Sequence, residues 1–430
     1  MNDLAAIPSS WKVLPLKRIS EIINSGCYGE DKPADNRKEA LRVITTAHID
    51  PLLGFKLESS ETRFFTEQEK QKYLGQPGDI FVVKSSGSNE NVITGKRAQV
   101  QDEPDLVFSN FLLRVRPHAS TDARFLFYLL GSSLVHQRIK REVATTTYPN
   151  LKMEKYLGEP LPFPPFLEQT AIARFLDRET GLIDGLIEKK TRFIALLKEK
   201  RAAVITHSVT KGIDPDAPMK DSGVDWLGRV PAHWDVPRIA ALFREVTRPA
   251  DPALPVLSVS IHDGVTDGEL ADEDRDRKVT LSEDRTKYQG VAPGDLVYNM
   301  MRAWQGAFGA VTVKGLVSPA YVVAAPVTTF RTKFIEHLLH TKSAAEEIRR
   351  FSRGIADFRM RLYWDHFRAL KVCLPPLEEQ DRILSEIDTE TARIDGLISL
   401  TERSIDLLRE KRAALITAAV TGKIDVRAAA

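Results

Sequence analysis

The sequence predicts an α+β protein: two α/β domains with bent or barrel-like sheets, separated by two long antiparallel helices that form a coiled coil. Three observations predict this fold. Residues 168–214 recur without a gap at 379–425, and 26 of the 47 aligned positions are identical. Both copies place apolar residues at helical spacing, and the segment ahead of each copy contains short runs of strand composition. The chain is therefore predicted to carry a pseudo-twofold internal repeat.

The repeat divides the chain into four predicted segments. We expect a first α/β domain at 1–160, a first long helix at 161–214, a second α/β domain at 215–373 and a second long helix at 374–430. The helical segments align at one constant shift, whereas the globular segments align only at shifts that vary along the chain. The globular segments therefore differ by insertions and deletions, and the helical segments do not.

Strand and helix patterns alternate within each globular segment. Runs rich in β-branched and aromatic residues predict strands at 41–45, 79–83, 111–115, 255–259, 295–298 and 321–323. Helical periodicity predicts helices over 123–141 and 333–350. This alternation favours α/β domains built on a strongly bent or barrel-like sheet.

The two repeated segments are predicted to be long helices. In the first copy the shared apolar positions are Ile172, Leu176, Ile183, Ile187, Ile194, Leu197 and Ile205. Their steps of mostly four and seven residues make one narrow stripe along a helix of about 44 residues, or roughly 66 Å at ~1.5 Å per residue. Such a helix cannot bury its stripe alone, so the predicted partner is the other copy, in antiparallel orientation.

Composition excludes some classes of protein without identifying a function. The chain has 61 basic and 59 acidic side chains, a net charge of +2, so it is not expected to coat DNA indiscriminately. Its two cysteines, Cys27 and Cys373, suggest neither a disulfide framework nor a zinc site. No apolar run approaches the ~20 residues that cross a bilayer, and the first residues lack a signal-peptide pattern. We therefore expect a cytoplasmic protein with no membrane contact.

The arrangement of motifs resembles the specificity subunits of type I restriction–modification enzymes. The residues that carry this resemblance are Pro164-Pro165-Phe166-Leu167-Glu168-Gln169, Pro375-Pro376-Leu377-Glu378-Glu379-Gln380, the downstream helices, Trp11, Trp234 and Thr145-Thr146-Thr147-Tyr148-Pro149-Asn150-Leu151. The resemblance implies that each domain reads one half of an interrupted, two-part site in double-stranded DNA. It also implies that the paired helices set the gap and dock two methyltransferase (modification) subunits, and that restriction or motor subunits join through the complex.

The second half departs from the first in one place. It has Gly354-Ile355-Ala356-Asp357-Phe358 where the first half has its threonine-rich stretch. The two domains are therefore expected to present different loops and to read unlike half-sites.

Candidate DNA-binding residues follow the predicted strands, where polar loops offer donors to phosphates and base edges. In the first domain they are Arg42, Thr45, His48, Lys84, Ser85, Ser86, Asn89 and Tyr148. In the second domain they are Ser260, His262, Arg302, Trp304, Gln305, Arg353, Arg359 and Arg361. The alternatives are a solvated loop after residue 83, a Trp304 that only anchors its loop to the core, and a solvated helix end at 349–361.

The motifs of enzymes and metal sites are incomplete, so we expect no catalytic residue, no metal and no cofactor. Phe163-Pro164-Pro165-Phe166 imitates the loop of adenine methyltransferases, but Phe163 has no polar group to hold the base. Gly95-Lys96 lacks the rest of a phosphate-binding loop. His337 and His340 have no third ligand nearby in sequence, and the acidic run 267–276 lacks the glycine spacing of a calcium loop.

Two other functions are alternatives, and the first of them explains the repeats equally well. One is a coiled-coil adaptor with two peptide-binding domains and no role on DNA. The other is a self-sufficient DNA methyltransferase or nuclease, which the missing motifs disfavour. DNA binding that weakens steeply with salt separates the predicted function from the adaptor. Methylation by the chain alone would identify the enzyme.

Overall fold

A computed structural model of the chain describes residues 7–36, 39–50, 54–86, 93–143, 150–261, 264–265, 287–354 and 360–426. The chain forms two compact units. The first contains Met1–Arg192 and Thr401–Ala430, and the second contains Phe193–Leu400. Each unit therefore combines one globular part with a portion of both long helices.

The first unit contains eleven strands and five shorter helices among its described residues. The strands are β1 (Lys12–Pro15), β2 (Ser20–Ile23), β3 (Glu39–Ile44), β4 (Ile49–Asp50), β5 (Gly54–Phe55), β6 (Glu61–Phe65), β7 (Ile80–Val83), β8 (Arg97–Gln99), β9 (Leu106–Phe108), β10 (Leu112–Pro117) and β11 (Pro160–Phe163). The helices are α1 (Leu16–Ile19), α2 (Glu67–Tyr73), α3 (Ala123–Leu130), α4 (Ser133–Val143) and α5 (Met153–Gly158).

The central sheet of the first unit is buried on both faces. Its strand order is β2-β10-β7-β8, and β3 pairs with β6 and β9 in a second sheet. Along β7, Ile80 and Val82 belong to the core cluster that contains α3, whereas Phe81 and Val83 belong to a different cluster that contains β9. Because successive side chains of a strand point to opposite faces, this burial explains why β7 is a continuous apolar run.

The long helix α6 (Phe166–Lys211) contributes to both units, and the globular part of the second unit follows it. Its strands are β12 (Met219–Asp221), β13 (Arg229–Pro231), β14 (Phe243–Glu245), β15 (Val259–Ser260), β16 (Gly264–Val265), β17 (Gln289–Val291), β18 (Leu296–Asn299), β19 (Phe308–Ala310), β20 (Gly315–Val317) and β21 (Tyr321–Pro326). Its helices are α7 (Ile239–Leu242), α8 (Thr332–Leu339), α9 (Lys342–Phe351) and α10 (Trp364–Phe367), and α11 (Leu377–Val420) is the second long helix. The four-stranded sheet has the order β14-β21-β18-β19.

The sheets are open, so the barrel-like closure that the sequence predicts is not found in the described part of the chain. A barrel requires each edge strand to pair with another strand of the same sheet. In the first unit the edges of the four-stranded sheet are β2 and β8, which do not pair with each other.

Two predicted single helices are in fact helix pairs. The helix expected over 123–141 is broken between α3 and α4, and the one expected over 333–350 is broken between α8 and α9. At the breaks, the hydroxyls of Ser132 and Thr341 donate to carbonyls three residues earlier, at 2.7 and 2.8 Å. Such local hydrogen bonds compete with helix propagation. The strand expected at 255–259 was also too long, since only Val259 of that run is in β15.

The two long helices are antiparallel within each unit. In the first unit, Leu176 of α6 shares a core cluster with Val420 of α11, and further along Asp184 bonds with Arg412. In the second unit, Arg201 of α6 bonds with Asp395 of α11. There Val209 shares a core cluster with Ile383 and Ile387. Residue numbers thus rise along one helix as they fall along the other.

A tryptophan packs against the end of a long helix in each unit. Gly212 follows α6 with φ +79°, and a Cβ placed there would lie 3.3 Å from the Trp234 ring. Gly422 follows α11 with φ +73°, and a Cβ there would lie 3.3 Å from the Trp11 ring. Only glycine adopts this backbone conformation readily and leaves room for the ring. Among the described residues, no helix is long and apolar enough to cross a membrane.

Candidate nucleic-acid interface

The glutamine of each Pro-Pro-x-x-Glu-Gln motif connects a globular part to a long helix. In the first unit, Gln169 Oε1 accepts from Asp122 N at 2.8 Å and its Nε2 donates to Pro164 O at 2.8 Å. In the second unit, Gln380 makes the same contacts with Arg331 N at 2.7 Å and Pro375 O at 2.8 Å. Both side chains are buried. The glutamine of the motif therefore fixes the start of α3 or α8 against its long helix.

A second shared contact holds the loop that follows β7 in the first unit and the loop that follows β18 in the second, which carry candidate DNA-binding residues. Leu151 N donates to Lys84 O at 2.8 Å in the first unit, and Leu362 N donates to Met300 O at 2.9 Å in the second. Leu151 and Leu362 are related by the same shift as the repeated helices. Lys84 and Met300 therefore occupy matching positions after β7 and β18. The loop that contains Arg302 thus follows β18 as the loop that begins at Lys84 follows β7, and the two loops carry different side chains.

Two basic candidates of the first unit are held by their own chain. Arg42 pairs with Asp105, its Nε donating to Oδ2 at 2.7 Å, and that hydrogen bond raises the pKa of the guanidinium. Lys84 Nζ donates to Asn24 O at 2.9 Å, and partial burial lowers the pKa of its ammonium group. Both side chains remain partly accessible. They can contact a phosphate only with donors not already engaged.

Two other candidates of the first unit support loops instead of presenting their side chains, and the hydroxyl of a third, Thr45, lies 3.3 Å from His48 Nδ1. His48 is 6% exposed and its Nδ1 accepts from Thr45 N at 3.0 Å. Ser86 is 1% exposed, and its hydroxyl accepts from Ile93 N and Thr94 N at 2.8 Å each. Because these groups are satisfied inside the protein, the sequence-based role of His48 and Ser86 as direct DNA contacts is revised to that of loop supports.

An exposed ring beside Lys84 was missed by the sequence reasoning. Phe111 is 53% exposed, and its carbonyl accepts from Lys84 N at 2.9 Å. Ser85 pairs through its backbone with the exposed Asn150, and the exposed Asn110 precedes Phe111. These residues meet at one end of the central sheet. The polar turn Ser109-Asn110 between two apolar strands was the available signal, because in an antiparallel pair the start of one strand lies beside the end of the other.

The second unit brings most of its described candidates together. Arg353 and Arg361 are exposed and exchange backbone hydrogen bonds of 3.0 and 2.9 Å. Leu362, next to Arg361, bonds to Met300, two residues before Arg302. The short 3-10 turn Ala303–Gln305 packs against α9. The result is a basic surface that contains Arg302, Gln305, Arg353 and Arg361.

Trp304 and Ser260 border this basic surface. The indole N–H of Trp304 donates to Met301 O at 3.1 Å, and the ring packs partly buried against the core, which corresponds to the anchoring alternative. Ser260 lies on β15, and the adjacent Ile261 O would be 3.6 Å from a Cβ on Gly306. Four candidates, Asn89, Tyr148, His262 and Arg359, lie outside the described residues, as do residues 355–358 of the departing stretch.

The pair His337 and His340, at the C-terminal end of α8, does not resemble a metal site. His340 Nε2 donates to Phe308 O at 3.1 Å, and burial lowers the pKa of the His337 ring to about 3. Within the described ranges, no group of three or more His, Cys, Asp or Glu side chains is arranged to hold an ion. Phe163 ends β11 and Phe166 begins α6. The segment 163–166, whose sequence is similar to the loop of adenine methyltransferases, therefore connects a strand to a long helix.

Comparison with known proteins relates this chain to one class of protein. Residues 8–192 match the model of the type I restriction modification DNA specificity domain. In fold, the chain is similar to a chain from a structural study of complex assembly and conformational transition in the type I R-M system. That likeness has a TM-score of 0.68 at 14% identity and covers 97% of this chain and 99% of that chain. It is also similar to the HsdS subunit from Thermoanaerobacter tengcongensis, with a TM-score of 0.51 at 15% identity, over 97% and 98% of the two chains.

Individual relatives carry the same description. The putative type I restriction enzyme MjaX specificity subunit of Methanocaldococcus jannaschii is 22% identical over 99% of this chain and 96% of that protein. The type I restriction enzyme EcoKI specificity subunit of Escherichia coli K12 is 24% identical over 47% of this chain and 43% of that protein. The resemblance to type I specificity subunits is therefore confirmed.

Proposed function

We propose that this chain reads both halves of an interrupted DNA site and docks the other subunits of a type I restriction–modification complex. The observation that carries the proposal is the matching pair of hydrogen bonds, Leu151 to Lys84 and Leu362 to Met300, which hold different loops on one backbone frame. Two DNA-binding domains that share these backbone contacts but carry different loop side chains suit a site with two unlike halves. We keep the four predicted segments, 1–160, 161–214, 215–373 and 374–430, as the functional domains of this proposal.

The two proposed readers differ in chemistry. The first presents Lys84, Ser85, Asn110 and Phe111, a mixture of amide, hydroxyl, ammonium and aromatic groups. The second presents Arg302, Gln305, Arg353 and Arg361, in which guanidinium groups dominate. Arginine pairs best with guanine and glutamine with adenine, and each good bidentate contact contributes about 1–3 kcal/mol of discrimination. Unlike half-sites follow from this difference.

We infer that the long helices form a pseudo-twofold antiparallel coiled coil that sets the gap between the half-sites. Asp184–Arg412 in the first unit and Arg201–Asp395 in the second join the same residue types at repeat-equivalent positions. Half-sites about one DNA turn apart, roughly 34 Å, keep two readers on one face of B-DNA. The length of the helices would then fix the number of unread base pairs.

The same helices offer a candidate docking face in each unit. Leu186 and Leu407 are exposed in the first unit, and their repeat equivalents Leu397 and Leu196 are exposed in the second. A Cβ placed on Gly185, next to Leu186, would meet no atom within 4 Å among the described residues. Because each unit repeats the same exposed side chains, the surface suits two copies of one partner. We assign it to two methyltransferase subunits, with the restriction or motor subunits joining the assembled complex, all in the cytoplasm.

The experiment that tests this function is single-molecule sequencing of methylated DNA from cells that make this chain with the methyltransferase subunit of its system. We expect methyladenine in one two-part motif with a fixed gap, lost when this chain is removed. No motif, with the methyltransferase present and folded, would favour the adaptor instead. Methylation by the purified chain alone would overturn the assignment of a non-catalytic subunit.

A further inference from the structure

Arg349, at the end of α9, stacks on Trp304, which belongs to the reading turn of the second unit. The guanidinium carbon lies over the indole ring, 5.2 Å from its centroid. Trp304 is also fixed from within its own turn, because its indole N–H donates to Met301 O at 3.1 Å. The ring is therefore held by a hydrogen bond at its edge and by a cation on its face, an arrangement that favours one orientation.

The turn that contains Trp304 is short and tightly closed. It covers Ala303–Gln305 and ends at Gly306, which has φ +99°. Ala303 is fully buried, whereas Gln305 is exposed. Only Trp304 thus separates the buried Ala303 from the exposed Gln305. A change in the orientation of Trp304 would therefore move Gln305, its immediate neighbour.

The neighbouring arginine makes a different contact although it has the same charge. Arg350 is exposed, and its Nη1 donates to Glu347 Oε2 at 3.1 Å on the same helix. Both arginines add positive charge to the end of α9, but only Arg349 stacks on an aromatic ring in the described structure. This difference separates an effect of charge from an effect of stacking, since a phosphate would be attracted by either guanidinium.

We propose that Arg349 is a positioning residue that determines specificity at the second half-site, by holding Trp304 so that Gln305 and Arg302 face the base edges. The inference rests on the proposed function, because it assigns a role in reading DNA. It treats Arg349 as a support for the reading turn and not as a phosphate contact. Loss of the stack loosens the turn and relaxes the choice of base in that half-site alone.

The test uses the full chain assembled with its methyltransferase subunits, and compares Arg349→Ala with the matched control Arg350→Ala. Methylation rates are measured on DNA with the cognate motif and with single-base changes in each half. We expect Arg349→Ala to lower discrimination in the second half-site roughly 3- to 10-fold, the range of a stacking contact. Discrimination in the first half-site should not change, and Arg350→Ala should preserve both.

Two further variants separate the effect of the stack from the effect of charge. Arg349→Lys keeps the charge but loses the flat guanidinium, so it should reproduce the loss seen with alanine. Trp304→Phe should do the same, because phenylalanine cannot bond to Met301 O. Full rescue by lysine, or equal effects at 349 and 350, would overturn the inference and leave an electrostatic role. Failure of the proposed function has a different signature, since the unaltered complex would then methylate no two-part motif.

Discussion

Arg412 donates two hydrogen bonds to Asp184 within the first unit, from Nε to Oδ1 at 2.8 Å and from Nη2 to Oδ2 at 3.0 Å. The equivalent pair in the second unit, Arg201 and Asp395, uses Nε alone, at 3.0 and 3.1 Å from the two carboxylate oxygens. The pairs also differ in exposure. The side chains of the first pair are 18% and 31% exposed, and those of the second are 42% and 51% exposed.

This contrast predicts unequal coupling energies for two chemically identical ion pairs. Two-point hydrogen bonding and lower exposure strengthen the first pair, so we expect about 1 kcal/mol for Asp184–Arg412 and a few tenths for Arg201–Asp395. Double-mutant cycles with alanine, measured by urea unfolding of the full chain, give both values. Equal couplings, or a stronger second pair, would contradict the structural difference.

The exposed leucines predict how many methyltransferase subunits bind. Replacing Leu186 and Leu407 by glutamate should remove the docking face of the first unit only, leaving one bound copy, because charge is costly in an apolar interface. The matched pair Leu196→Glu and Leu397→Glu should remove the other copy, and all four changes together should remove both. Native mass spectrometry of the purified complex measures the number. Two copies bound to each double variant would exclude this face as the docking surface.

The helices predict that the gap of the DNA site depends on their length. Four residues inserted after Ala203 advance α6 by about 6 Å and slightly more than one turn. The methylated motif should therefore change its gap and keep both half-sites. The same insertion after Ala253, in an exposed turn of the second unit, is the control and should leave the gap unchanged. A variant at 203 that methylates the original motif would refute the spacer role.

His337, which is partly buried and has a fully buried ring Nε2, predicts a loss of stability in acid. Burial lowers its pKa from 6.5 to about 3, so the folded protein keeps the ring neutral while the unfolded chain takes up a proton. The contribution is complete above pH 6.5 and is lost, at ~1.4 kcal/mol per pH unit, as the pH falls from 6.5 toward 3. Urea unfolding at several pH values between 8 and 4.5 measures this loss.

A tyrosine at position 337 should reduce the acid sensitivity. At the matching position of α3, Tyr128 donates its hydroxyl to Asp177 at 2.7 Å. The second unit has the same residue type at the repeat-equivalent Asp388. His337→Tyr removes the titrating ring, so its stability should decline less between pH 6.5 and 4.5. His118→Leu, at an exposed site, is the control. An undiminished decline in both His337→Tyr and His337→Leu would assign the acid sensitivity to other groups.

Local periodicity determined much of this fold from sequence alone. The spacing of Ile172, Leu176, Ile183 and Ile187 is a property of neighbouring residues, so it predicted α6, and the copied spacing predicted α11. The continuous apolar runs of β7 and β18 were equally informative, because a strand buried on both faces has no polar side. The resemblance to type I specificity subunits was carried by short motifs around the two Pro-Pro-x-x-Glu-Gln sequences.

Contacts between residues distant in sequence decided the rest. Asp105, 63 residues after Arg42, engages that guanidinium, and the loop residues Ile93 and Thr94 satisfy the hydroxyl of Ser86. Arg349 reaches Trp304 only because α9 packs on the turn. Periodicity predicts which face of a helix or strand is apolar, but it does not predict which polar groups form hydrogen bonds with each other. Hydrogen bonds and ring stacking act over a few ångströms, so only the folded chain determines whether a polar side chain supports the protein or remains available to DNA.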